Sequence, residues 1–359
     1  MAPARHGRHL LNILAVTDVT ERLRESWQLG PLTVPNRVLL APLAGIGNWF
    51  VRLQAKRYGA GMAVSEMVSS HAIHHRNEKT CSEMLRIDPR EREGGPVSIQ
   101  LFGEDPATMR SAAAFVVAAG ADAIDINMGC PVPKVRKTGA GAELLADPDR
   151  AVAVARATVE GAAEGGAEVP VTVKLRSGLR SGEASGFDLA HRLVAEAGVA
   201  AIGFHPRSAA VHHKGHPDYD LAARLVASLP APVILTGGLD DPASIAEALE
   251  RTGAAAVMLA RGALGNPWLF SRLLGDSDAE PTPGQVREEL GWTIERAVEH
   301  LGEPRATRYL RKFYPWYVPR LGLAPADAKR LQEALQTAET LALARELLAL
   351  APGPLAAAV

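Results

Sequence analysis

Asp125-Ile126-Asn127-Met128-Gly129-Cys130-Pro131 puts a carboxamide and a thiol at the end of a short apolar run. Residues 123–128 read as a buried strand, and Gly129 and Pro131 turn the chain after it. The chain has only two cysteines in 359 residues, so Cys130 has no disulfide framework to join. A thiol in such a turn can serve as a nucleophile or give a proton to a developing carbanion. The plainer alternative is an inert buried thiol, the commonest fate of free cysteine. Lys134, Arg136 and Lys137 follow closely, whereas Cys81 has no comparable setting.

Other apolar runs also end in reactive residue types. They finish in Pro42-Leu43-Ala44, Lys174-Leu175-Arg176, His205-Pro206-Arg207, Thr236-Gly237-Gly238 and Ala260-Arg261, while Gln100 lies inside another. Gly237 and Gly238 allow backbone N–H groups to approach an anion, and Arg261 adds forked cationic donors. Together these suggest a phosphate site, although a glycine pair can also simply turn the chain. Lys174 ends an apolar strand, where a lone ammonium is costly. Its partner is either an anionic cofactor, such as a reduced flavin at its pyrimidine edge, or a carboxylate such as Glu66 or Asp125. Gln100 suits the same ring, and Pro42, Leu43 and Ala44 offer apolar and backbone contacts. His205 is either a core residue or part of this site. His212, His213 and His216 follow without a metal-ligand spacing, so no metal is expected.

These residues need elements to bring them together. Apolar runs cover 38–43, 62–67, 97–102, 123–128, 171–175, 201–205, 233–236 and 255–259. Helical spacing of apolar residues appears in 108–119, 148–163, 188–197, 219–228 and 242–251. Eight βα units predict an α/β fold of the closed (β/α)8 TIM-barrel type, whose chemistry gathers at the strand C-termini. An open doubly wound sheet shares the alternation, but no Gly-x-Gly-x-x-Gly follows the first strand. After Leu274 a Pro/Gly/Asp-rich linker leads to helical segments over 285–302, 303–321 and 325–348, a small all-helical domain. The expected division is an N-terminal extension over 1–28, a barrel over 29–276 and a helical domain over 285–350. Residues 10–16 read as a frayed or short helix rather than a signal peptide, because the run is short and broken by Asn12.

Bulk properties exclude several classes. A net charge of −1 and a pI near 6.8 are not those of a uniformly basic nucleic-acid binder, though a local basic patch remains open. No apolar run approaches a membrane span. Two cysteines fit a reducing compartment, so the cytoplasm is expected.

The motifs Leu40-Ala41-Pro42-Leu43-Ala44-Gly45, Ser65-Glu66-Met67-Val68-Ser69, Gln100-Leu101-Phe102-Gly103, Asp125 to Pro131 and Gly265-Asn266-Pro267-Trp268 occur in that order. Together they resemble the bacterial tRNA-dihydrouridine synthases, nearest the B-type branch. The resemblance implies an FMN-binding barrel and a helical tRNA-binding domain. It implies reduction of the 5,6 double bond of chosen uridines, with NADPH or NADH as reductant. It makes Cys130 the general acid and Asn127 and Arg176 the holders of the uracil. It assigns Pro42, Leu43, Ala44, Gln100, Lys174 and His205 to the flavin, and Thr236, Gly237, Gly238, Ala260 and Arg261 to the FMN phosphate. The chain departs from the family's usual pattern at Ile46-Gly47-Asn48, Thr236-Gly237-Gly238, Ala260-Arg261 and Pro206-Arg207-Ser208-Ala209. The last of these lacks a second arginine, which bears on RNA contacts.

In the C-terminal part Arg305, Arg308, Arg311, Lys312 and Arg320 interleave with Tyr309, Phe313, Tyr314, Trp316 and Tyr317. The arginines suit phosphates, and the aromatics either stack on bases or form a helical core. Two rival readings are an FMN-dependent barrel oxidoreductase of a small molecule and a non-catalytic tRNA-binding factor. No stable protein partner is expected, and one protomer suffices to grip one tRNA.

Overall fold

The computed structural model describes residues 19–277 and 279–351. Eight parallel strands form its centre: β1 (Val38–Leu40), β2 (Met62–Val64), β3 (Val97–Phe102), β4 (Ala123–Met128), β5 (Val171–Arg176), β6 (Ala201–His205), β7 (Val233–Thr236) and β8 (Ala256–Leu259). Each strand pairs with the next, and β8 returns to β1 with Val257 opposite Val38. That last pairing closes the sheet and settles the barrel against the open alternative. β1 and β2 are shorter than their apolar runs, because residues 42–45 and 66–67 leave the ladder for the barrel mouth, after which Val68–Ser69 rejoins it beside β3.

Strand residues are buried on both faces, as a barrel wrapped in helices requires. The helices begin where the sequence supplies caps. Asp105, Asp147 and Asp241 each accept an N–H from the first turn, and each is followed by a proline whose fixed φ suits the first helical position. Each such cap contributes about 1 kcal/mol.

The barrel floor is closed by a hairpin of Trp27–Leu29 and Leu32–Val34. Its two-residue loop has Gly30 at φ +58°, while Pro31 is held at negative φ, the pattern of a type II′ turn. Trp27, Leu29 and Val34 pack on Leu39, Met62, Ala123, Ala201, Ile234 and Ala256, near the starts of the strands. Residues 19–24 are helical, Leu23 is buried, and Arg22 donates to the carbonyls of Gly253 and Ala254. The expected helix over 10–16 lies outside the described residues.

The C-terminal part is helical: Pro283–Leu301, Glu303–Leu310, Tyr314–Tyr317, Pro325–Thr337 and Leu341–Leu350. The single helix expected over 303–321 is broken, since Pro315 and Pro319 lack the N–H a continuous helix needs. The helix expected over 325–348 divides at residues 338–340, where Thr340 caps the second piece.

Helix Trp49–Arg57 joins the two parts. Eight of its nine residues are buried, whereas a helix on the outside of a barrel usually keeps one wet face. Gln54 Nε2 donates to Glu289 Oε1 (2.7 Å) and Tyr317 Oη (2.8 Å), and Phe50 packs on Phe313 and His300.

Candidate active site

At the C-terminal ends of the strands lies a cavity of about 350 Å³. Every candidate named from the sequence lines it: Pro42, Leu43 and Ala44 after β1, Gln100 on β3, Asn127 and Cys130 at β4, Lys174 and Arg176 on β5, His205 on β6, Thr236, Gly237 and Gly238 at β7, and Ala260 and Arg261 at β8. Parallel closure makes this inevitable, because all eight strands end on one side.

The turn after β4 is braced on both sides. Asn127 Oδ1 accepts the N–H groups of Gly129 (3.2 Å) and Cys130 (2.9 Å). The Cys130 carbonyl accepts from Ala142 N (3.1 Å), and Gly141, at φ +64°, allows that approach, since a Cβ there would lie 3.0 Å from the Cys130 oxygen. Asn127 Nδ2 donates to Gln100 Oε1 (2.9 Å), and Gln100 Nε2 donates to Asp125 Oδ2 (2.6 Å). Arg176 has more structural work than its sequence position shows. Its Nε donates to Gly129 O, and its Nη1 donates to the carbonyls of Ser208 and His212. It thereby ties the Cys130 turn to the loop after β6.

The Lys174 ammonium makes no hydrogen bond or ion pair with any described residue: Glu66 accepts from Gly45 N, and Asp125 is bonded to Gln100 and Thr172 and acts on Lys174 only through space. Burial, and then the Arg176 charge, pull its ammonium down to about 8. Burial also pulls His205 well below its usual range, helped by Lys174, Arg176 and Arg207. His213 stacks on His205 at 6.0 Å and is drawn down to about 4 by burial and Arg261. Both rings are therefore neutral near pH 7. The site is a cluster of cationic groups with few counter-charges, which is the setting of an anionic ligand.

At β7 and β8 the backbone itself makes room. Gly237 and Gly238 sit at φ +97° and +78°. A Cβ on Gly237 would lie 2.4 Å from the His205 ring, and one on Gly238 would lie 2.8 Å from Pro217. Only glycine fits here. Arg261 is exposed, its guanidinium is bonded to no described residue, and it acts electrostatically on Arg207 and His213. A partnerless ammonium, a glycine cradle and a free guanidinium fit a ligand that carries both a phosphate and an electron-rich ring. Among the described residues no group of three His, Cys, Asp or Glu side chains is placed to hold a metal ion.

The sequence profile of the dihydrouridine synthase (Dus) family matches residues 39–350, nearly all of this architecture. The chain belongs to the dihydrouridine synthase family. Within that family its relatives are of the B type. It is 36% identical to tRNA-dihydrouridine synthase B of Xanthomonas campestris pv. campestris, over 92% of this chain and 99% of that protein. It is 34% identical to tRNA-dihydrouridine synthase B of Xanthomonas axonopodis pv. citri, over 81% of this chain and 86% of that one. Among solved structures, histamine dehydrogenase from Rhizobium sp. 4-9 superposes with a TM-score of 0.57 at 13% identity, over 76% of this chain and 49% of that one. 2-Naphthoyl-CoA reductase superposes with a TM-score of 0.56 at 14% identity, over 72% of this chain and 52% of that one. These two likenesses show the barrel fold.

The dihydrouridine synthase cavity has members that spacing in the sequence does not reveal. Met67 reaches to within 3.7 Å of Asn127 Nδ2, and His213 joins the cavity wall through the loop after β6. Beside the mouth lies a second cleft, of about 370 Å³, between Gly45 and Glu66 on the barrel and Arg305, Arg308, Tyr309 and Lys312 on the helical part. Lys312 Nζ donates to Gly45 O, and Tyr309 Oη donates to Ile46 O, so the helical part grips the first cavity loop. Phe313, Tyr314 and Tyr317 are buried and form the helical core rather than a stacking surface. Arg305 pairs with Glu83, Arg311 donates to Ala338 O, and Arg320 donates to Trp316 O. Arg308 and Lys312 stay exposed at the cleft.

Proposed function

We propose that this chain is a tRNA-dihydrouridine synthase that reduces the C5–C6 double bond of specific uridines in tRNA, with FMN resident in the barrel and NADPH or NADH as electron source. The observation that carries the reading is the Cys130 thiol at the rim of the same cavity that holds the partnerless Lys174 ammonium and the Gly237–Gly238–Arg261 cradle. Membership of the family and the names of its B-type relatives support it.

In this reading Gly237, Gly238 and Arg261, with Thr236 and Ala260, hold the FMN phosphate. Lys174, Gln100 and His205 would hold the ring system, with Pro42, Leu43 and Ala44 as its apolar and backbone contacts. When bound, FMN supplies a hydride to carbon 6 of the uracil. The protein supplies the rest. Addition at carbon 6 leaves negative charge on carbon 5 and the 4-carbonyl, and Cys130 gives its thiol proton to carbon 5. The thiolate then recovers a proton from water. The second Nδ2 hydrogen of Asn127 points to Met67 Sδ at 3.7 Å, a weak acceptor that a uracil carbonyl would displace, and Arg176 keeps its Nη2 hydrogens. Both groups donate to the uracil carbonyls in this proposal. Neutral His205 donates or accepts a hydrogen bond without adding positive charge.

A uridine must leave its stack to enter such a cavity. The cleft beside the mouth, with exposed Arg308 and Lys312, suits the flanking RNA backbone. The proposal includes a monomer acting in the cytoplasm, where tRNA is found.

The test is direct. Purified protein is expected to be yellow, to contain FMN, and to form dihydrouridine in unmodified tRNA with NADPH, measured by nucleoside mass spectrometry. Cys130→Ala should keep FMN and lose roughly 10²–10⁴-fold in turnover. A colourless protein that does not bind added FMN refutes the reading. Reduction of free uracil with none of tRNA would instead favour a small-molecule oxidoreductase.

A further inference from the structure

Asp125 and Asn127 lie two apart on β4 and so face the barrel interior together. The registers of β3, β4 and β5 place Gln100 and Thr172 directly opposite Asp125, on either side. Thr172 Oγ1 donates to Asp125 Oδ1 (2.5 Å), and Gln100 Nε2 donates to Asp125 Oδ2 (2.6 Å). Asp125 is 2% exposed and Gln100 1%, so no bulk water competes for these bonds.

The chain of bonds has a direction. An ionised carboxylate only accepts, so Gln100 must turn its Nε2 toward Asp125. Its Oε1 is then left to accept from Asn127 Nδ2 (2.9 Å). That in turn leaves Asn127 Oδ1 to accept from the N–H groups of Gly129 and Cys130. With Gln100 reversed, Asn127 would present an N–H group to two N–H groups, and the turn would lose both its acceptors. Each carboxamide is symmetrical in shape and can reverse at little steric cost. Asp125 is the member that cannot. Burial raises its carboxyl to about 6, so it remains mostly ionised at neutral pH.

We propose that Asp125 is a positioning residue: an acceptor-only group in the barrel interior that fixes the direction of the Gln100 and Asn127 carboxamides and thereby holds the turn that presents Cys130. The proposal rests on the reading of Cys130 as proton donor, and it extends that reading to the strand that carries it.

Two isosteric substitutions test it. Asp125→Asn replaces the acceptor-only group by a carboxamide, and because the Thr172 hydroxyl can donate or accept, residue 125 can then turn either way and no longer fixes Gln100. In Thr172→Val the carboxylate still accepts from Gln100, so the chain keeps its direction. The protein is used with FMN bound and with Cys81→Ser as background, so that iodoacetamide reports Cys130 alone. Thr172→Val is expected to stay within about threefold of the parent in Cys130 alkylation and in dihydrouridine formation, and Asp125→Asn to depart from the parent by at least about fivefold in both. The flavin reduction of Asp125→Asn by NADPH should stay within about twofold, which separates a displaced thiol from a damaged cofactor site. An Asp125→Asn variant that departs by less than about fivefold in both measurements overturns the proposal. If the parent makes no dihydrouridine, the reading of function fails, while the alkylation rates still decide whether Asp125 positions the turn.

Discussion

Replacing Lys174 by methionine should make the protein more stable and less able to hold its cofactor. Burial, then Arg176, hold the ammonium at about 8 instead of 10.5. At about 1.4 kcal/mol per pH unit, keeping it charged at neutral pH costs the ligand-free fold roughly 3 kcal/mol. Water in the open cavity screens part of this, so the expected gain for Lys174→Met is about 1–3 kcal/mol, or roughly 2–5 °C for a chain of this size. Methionine preserves the apolar stem, so packing changes little. The gain has a pH signature. Between about 8 and 10.5 the unfolded chain keeps a proton that the native lysine has released, so wild-type stability rises through that window. The difference between the two proteins should therefore be full below pH 8 and vanish toward pH 10.5. Urea denaturation of the FMN-free proteins at pH 7, 8.5 and 10 measures it. FMN titration should show at least tenfold weaker binding by the variant, the scale of one lost charge-assisted hydrogen bond. A variant no more stable than wild type at pH 7, or a difference that does not shrink with pH, refutes the reasoning.

Gly237→Ala places a Cβ 2.4 Å from the His205 ring at a φ of +97°; a loss of about 2–4 kcal/mol is expected, with bound FMN lost in parallel. A urea midpoint and FMN content matching wild type would show that the loop yields freely. Arg308→Gln should lower the slope of log tRNA affinity against log salt by about 0.7–0.9, read by filter binding at several salt concentrations. An unchanged slope would put the RNA backbone away from the cleft beside Arg308.

The barrel was legible because its signal is repetitive. Eight apolar runs separated by helical stretches survive errors at any one boundary, and the Asp-Pro pairs at 105–106, 147–148 and 241–242 mark helix starts in plain view. The placement of the candidate residues around one cavity was legible for the same reason, since strand ends in a closed parallel barrel must converge. What failed to show depends on contacts far along the chain. Nothing local to Arg176 says that carbonyls at 129, 208 and 212 take its N–H groups. Nothing local to Arg305 says that Glu83 pairs with it. The aromatic run 313–317 has the composition of a stacking surface, but burial decides its use, and burial belongs to the tertiary structure. The floor hairpin was within reach: Trp27 to Val34 alternates around Gly30-Pro31, a turn signal inside a segment otherwise read as an extension and a barrel start.

The sealed helix Trp49–Arg57 has a consequence for synthesis. Gln54 is translated 235 residues before Glu289, its partner on the helical part. At roughly 5–20 residues per second, that interval is about 10–50 s. Throughout it the outer face of the helix, with Trp49 and Phe50, has no Glu289, His300 or Phe313 to meet. The barrel can gather its own strands on the ribosome, but this face stays wet until the last helices emerge. A nascent chain stopped near residue 280 would therefore offer a chaperone its clearest apolar target at the fiftieth residue, not at the growing end.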